Sequence, residues 1–199
     1  MKKLSREMKI WPIILLLLFL GACAKMEEKP NSTQLLRNND LSDTANNVLP
    51  WVAVNTPGFE LGISDSIYRS GKQSIFIRNK DSTNQNIATW TQIYSGSIPR
   101  STQRLRLMAH LKGENLNLTR LESGVYISIR VFPVVENESR LLFASTQNFS
   151  RFQGTFDWQP LEVILPHLPD NIENIRVYMN MGAGTTGTIY FDDISLFAE

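Results

Sequence analysis

The chain has 199 residues, 42% of them hydrophobic, and a net charge of +1. That is enough length and apolar content for one sizeable core, and a near-zero charge offers no basic field to draw nucleic acid. A single cysteine, Cys23, excludes an internal disulfide and a cysteine-built zinc site, and the two histidines, His110 and His167, stand far apart in sequence.

The first nine residues, "MKKLSREMK", set Lys2, Lys3, Arg6 and Lys9 against Glu7, so the basic excess of the chain belongs to its N-terminus. The apolar run "IWPIILLLLFLGA" over 10–22 follows. It is shorter than the roughly 20 residues that span a bilayer and fits the apolar region of a secretory signal peptide. Leu20-Gly21-Ala22-Cys23 resembles the lipobox of bacterial lipoproteins. That resemblance implies cleavage before Cys23, a diacylglycerol on its sulfur and acylation of the new amine. Several acyl chains anchor firmly where a single chain binds marginally. Ala24 stands where enteric lipoproteins retained at the inner membrane carry Asp, which implies the outer membrane of a Gram-negative cell. Residues 1–22 therefore read as a signal peptide. Residues 23–49, polar and rich in Asn, Ser, Thr and Asp, read as the lipidated cysteine and a flexible tether.

From residue 50 to 199 the hydropathy period is two, the mark of half-buried strands. "SIFIRN" sets Ile75 and Ile77 opposite Phe76 and Arg78, and "ATWTQIYSG" sets Trp90, Gln92 and Tyr94 opposite Thr91 and Ile93. "GVYISIRVFPV" stacks Val125, Ile127, Ile129 and Val131 opposite Tyr126, Ser128, Arg130 and Phe132, and "NIRVYMNMG" stacks Ile175, Val177, Met179 and Met181. Turn-forming stretches such as "NTPG", "RSGK" and "GAGTTG" separate them. Many short strands with frequent turns predict an all-β sandwich. The faces expected to point outward hold Arg78, Trp90, Gln92, Tyr94, Tyr126 and Arg130, an aromatic and arginine surface suited to the C–H face of a sugar.

Taken in order, "GFE" at 58–60, "SGKQSIFIRN" at 70–79, "TWTQIYSG" at 89–96, "RLRLMAHLKG" at 104–113, "GTFDWQPLEVILPHLPDNI" at 154–172 and "GTIYFDDISL" at 187–196 resemble the galactose-binding-like jelly roll of cellulose- and xylan-binding modules. The resemblance implies that Leu161, Val163 and Leu165 pack inward behind Asp157-Trp158, and that Gly71 makes a turn. It also implies a structural calcium held by Glu60, the main-chain oxygen of Lys72 or a neighbour, and Asp192. Together with the lipobox it implies a membrane-anchored, non-catalytic binding lipoprotein that recognises a glycan or related cell-envelope ligand through a face of the jelly roll. The alternative is an envelope structural or protein-interaction module on the same fold.

Catalysis is not expected from the residues. Glycoside hydrolysis needs two carboxylates facing one cleft, and the consecutive Asp192 and Asp193 should point to opposite faces of a strand. No nucleophile elbow or phosphate-binding glycine loop is present. His110 is expected on a solvated strand face and His167 in a loop.

Overall fold

Strands that alternate apolar and polar residues have one face to bury, and two sheets laid face to face bury both. The computed structural model, which describes residues 32–119, 123–133, 142–149, 151–169 and 171–199, is such a sandwich. Its strands are β1 (Thr33–Gln34), β2 (Val52–Val54), β3 (Phe59–Ser64), β4 (Ser74–Asn79), β5 (Ala88–Tyr94), β6 (Arg104–Leu118), β7 (Val125–Phe132), β8 (Phe143–Ser145), β9 (Gly154–Pro166), β10 (Asn174–Met181) and β11 (Thr185–Ala198). One sheet runs β3-β4-β11-β6-β9, with β1 also paired to β11; the other runs β2-β5-β10-β7-β8. Ile75, Ile77, Leu107 and Leu111 of the first sheet meet Ile127, Ile129, Val177 and Met179 of the second. Leu161, Val163 and Leu165 of β9 do pack inward. The result is an all-β, jelly-roll-like fold.

The stretch expected as a tether up to residue 49 belongs, from Ser32 onward, to the sandwich. β1 adds to β11 at Thr33↔Ala198 and Gln34↔Phe197, and Leu35, Leu36, Leu41 and Val48 are buried in the core. Buried amides do here what a ladder does elsewhere. The Gln92 side chain accepts from the Arg37 N–H and donates to the Arg37 carbonyl, each at 3.0 Å. That is the pair of bonds one strand offers another. Gln73 donates to the carbonyls of Leu41 and Thr44 at 2.9 and 2.8 Å and accepts from the Asn46 N–H at 2.8 Å. The Trp51 indole N–H donates to the Asn38 carbonyl at 3.1 Å. Gly71 has φ +61°, and a Cβ there would lie 2.6 Å from the Asp40 carbonyl oxygen. The "SGK" turn thus needs glycine both for its left-handed backbone and for the passage of this segment.

β11 changes partners midway: β4 pairs with it from Gly187 to Phe191, and β1 only at Phe197 and Ala198. Two carboxylates tie the gap to the turn before β4. Asp192, fully buried, accepts the Arg69 and Ser70 N–H groups at 2.7 and 3.1 Å and the Asp193 N–H at 2.7 Å. The expected divergence of the two acids does not occur. The β6–β11 register slips between Asp192 and Ser195, and Asp193 has φ +47°, a region that Asp tolerates. Its carboxylate swings to the same turn, accepting the Ser70 hydroxyl and pairing with the Arg69 guanidinium. His110, cross-strand from Asp192, is buried rather than solvated, with Nδ1 4.0 Å from Asp193 Oδ2. Burial lowers the His110 pKa, Arg69 acts in the same direction, and Asp193 opposes them.

Burial pushes the Asp192 carboxyl from 3.8 up to about 6, against the pull of its three N–H donors and helped by the Asp193 charge. Between those two values the native state holds a proton that the unfolded chain releases. Stability from this group is therefore present at low pH and falls as pH rises through the window. Asp192→Asn cannot ionise. From pH 4 to pH 7 it should gain on the wild type by on the order of 2 kcal/mol. Urea unfolding at both pH values checks this; an unchanged difference between the two proteins contradicts it.

Candidate functional site

Cross-strand partners share a face of a sheet, so the register decides where each candidate residue points. Trp90 pairs with Met179 and Gln92 with Val177, both core residues. Trp90, Gln92 and Tyr94 accordingly face inward, a correction to the outward assignment. Trp90 is 5% exposed and donates its indole N–H to the Phe76 carbonyl at 3.0 Å. Gln92 holds Arg37, and Tyr94 packs against the core with its hydroxyl on the Ser97 carbonyl at 2.6 Å. Arg78 does lie outside, but on the six-stranded sheet. There it pairs with Glu60 at 2.9 Å, donates to Thr188 at 3.1 Å and covers the Phe76 ring. Both of these hydrogen bonds go to its own sheet.

Tyr126 and Arg130 occupy the outer face of the five-stranded sheet, as expected. Three rows cross that face: Val54, Thr89, Asn180 and Tyr126; then Val52, Thr91, Tyr178, Ser128 and Ser145; then Ile93, Arg176, Arg130 and Phe143. A shallow groove of about 280 Å³ runs among Tyr126, Ser128, Arg130, Tyr178 and Asn180, walled by Ile87, Phe143 and Gln147. Its floor is fixed by polar bonds. Thr89 donates to Asn180 Oδ1 at 2.8 Å, and Asn180 Nδ2 lies 3.3 Å from the Ser128 hydroxyl. Tyr126 and Tyr178 sit diagonally across β7 and β10. Among the described residues neither tyrosine hydroxyl has a partner. Burial raises the Tyr126 pKa, so its hydroxyl stays a donor. Arg176, Tyr178 and Asn180 are legible in the sequence as the second face of "NIRVYMNMG", opposite Ile175, Val177 and Met179.

Of the calcium ligands implied by resemblance, Asp192 lies at the turn that leads to Lys72, and Glu60 stands apart from both. Glu60 sits in the row of Arg78 and Thr188, about 13 Å along the strand from Asp192. Asp192 accepts three N–H groups. Lys72 is exposed, following the turn that Asp192 holds. Among the described residues no group of three or more His, Cys, Asp or Glu side chains is placed to hold a metal. Ser70, Asp193 and His110 have the residue types of a nucleophilic triad but not its order. In a triad the imidazole stands between hydroxyl and acid; here Asp193 accepts the Ser70 hydroxyl directly. Cys23 and the 1–22 segment lie outside the described residues.

No protein-family model and no curated protein matches the chain. Solved structures match it in fold. A cyclase from Fischerella sp. TAU is 11% identical with a TM-score of 0.58, over 84% of this chain and 98% of that one. TmCBM61, solved in complex with beta-1,4-galactotriose, is 14% identical with a TM-score of 0.53, over 84% of this chain and 99% of that one. The enzymatically active domain of bacteriophage CBA120 tailspike protein 4 is 12% identical with a TM-score of 0.57. That match covers 82% of this chain and 21% of the tailspike chain. At such identities the likeness shows the fold alone, a jelly-roll-like sandwich also found in a carbohydrate-binding module and in enzymes. One fold of this kind serves many functions.

Proposed function

We propose that this protein is a lipid-anchored, non-catalytic binding module of the cell envelope that takes up a glycan on the outer face of its five-stranded sheet. The observation that carries it is the groove between Tyr126 and Tyr178. The Tyr178 ring offers flat apolar surface beside the largely buried Tyr126 (7% exposed), their hydroxyls are free among the described residues, and Asn180 and Ser128 supply a polar floor. Sugars present the complementary pattern of C–H faces and hydroxyls. The fold of a module solved with a galactotriose supports the reading. The anchor is Cys23, with its lipobox and an outer-membrane destination, and the packing of residues from Ser32 onward leaves residues 24–31 as the connection. They can reach at most about 30 Å. Labelling cells with a fatty-acid analogue reports the anchor; a protein left unlabelled contradicts it.

An oligosaccharide array identifies the ligand, and Tyr178→Ala should then weaken binding about tenfold or more. Its melting temperature should stay near the wild type, because Tyr178 is not part of the core. Absence of any binding on the array, or full binding by the variant, would refute the reading. The exposed Val52 (51%), Val54 (47%) and Ile93 (50%) on the same face favour a protein partner as the second reading. A membrane crosslink insensitive to added sugar would select it.

A further inference from the structure

The third row of the groove face sets Arg176 directly opposite Arg130. Like charges in that position repel and weaken a sheet, and long charged side chains usually relieve this by turning toward carboxylates. Here neither does. Among the described residues no carboxylate pairs with either guanidinium. Each instead lies over a ring: Arg130 Cζ 5.2 Å from the Phe143 centroid and Arg176 Cζ 4.8 Å from the Phe132 centroid. The Arg176 Nε is buried and has no partner among the described residues, and leaving such a donor unmet is costly. Other arginines of the chain show the contrast. Arg78 lies over Phe76 and Arg106 over Phe197, yet both also pair with a glutamate.

The geometry points to the Arg130–Arg176 pair as the subsite for an anionic group on the ligand, so that the glycan is an acidic one carrying a carboxylate or a sulfate. This rests on the glycan reading above and adds its substrate class. Two guanidiniums, each lying over an aromatic ring and carried by residues paired across β7 and β10, offer the forked donors that such groups accept in pairs. Arg130 also lines the tyrosine groove. One sugar ring can therefore lie against Tyr178 while its acidic substituent, or that of the next ring, meets the arginines in the neighbouring row. The bound anion removes the repulsion between the two charges, so the subsite is strengthened by the strain it relieves.

Calorimetry of the full chain with three oligosaccharides of equal length, one neutral, one of uronates and one sulfated, tests this. An acidic ligand should bind at least about tenfold more tightly than the neutral one. Arg130→Gln and Arg176→Gln should each remove most of that preference. The preference should also shrink as salt is raised. Neither variant should lose melting temperature, since each removes one member of a repelling pair, so lost binding cannot be mistaken for unfolding. Uronate and sulfate arms tell which acidic group fits. If the neutral oligosaccharide binds as well as both acidic ones, or the variants keep the preference, the acidic subsite is overturned while the glycan reading stands. If no oligosaccharide binds, both fall.

Discussion

A chain beginning at residue 50 is expected not to fold, whereas one beginning at residue 32 should melt in a single cooperative transition. The first construction follows the boundary that composition suggests, and it strips the core of Leu35, Leu36, Leu41 and Val48. Each such side chain contributes about 1.5–3 kcal/mol when fully buried. Together they approach the roughly 5–15 kcal/mol of a whole domain. The loss is compounded at Gln73 and Gln92, whose buried amides would face an empty channel, at about 1–3 kcal/mol for each unmet group. Near-ultraviolet circular dichroism and thermal melting of the two chains decide the matter. A cooperative melt of the shorter chain at the temperature of the longer would show that residues 32–49 merely decorate the surface.

Trp90→Ala is expected to cost about 3–5 kcal/mol of stability, the usual range for a buried aromatic truncated in a core. Trp90 stands in the five-stranded sheet and donates to the Phe76 carbonyl in the other. The substitution therefore opens a cavity and removes a hydrogen bond between the sheets. A surface tryptophan on a sugar site would behave oppositely, losing affinity with its melting curve intact. Denaturant unfolding of Trp90→Ala beside Tyr178→Ala separates the two roles. A Trp90→Ala protein as stable as the wild type would return Trp90 to the ligand face.

The difference between Trp90 and Arg130 explains what was legible. On β7 the inward set is Val125, Ile127, Ile129 and Val131, uniformly aliphatic, so Tyr126 and Arg130 had to face out. On β5 the inward set is Ala88, Trp90, Gln92 and Tyr94, against Thr89, Thr91 and Ile93 outside. Hydropathy hardly distinguishes the two faces. What decides is a partner far away in sequence: the Phe76 carbonyl for Trp90 and Arg37 for Gln92. The N-terminal leucines escaped notice for a related reason. Side-chain amides hold their segment, with β1 too short to impose a period.

By itself the sequence determined the all-β sandwich, its longer strands, and the faces of those strands whose apolar residues all lie on one side, because alternation is a local property of an extended chain. Tertiary structure alone decided the start of the domain at or before residue 32, the convergence of Asp192 and Asp193 on one turn, and the juxtaposition of Arg130 with Arg176. Each of these depends on register, on a bulge or on buried polar bonds between segments 40 to over 100 residues apart. Such contacts are fixed by the packing of the whole sandwich, and no short stretch of residues encodes them.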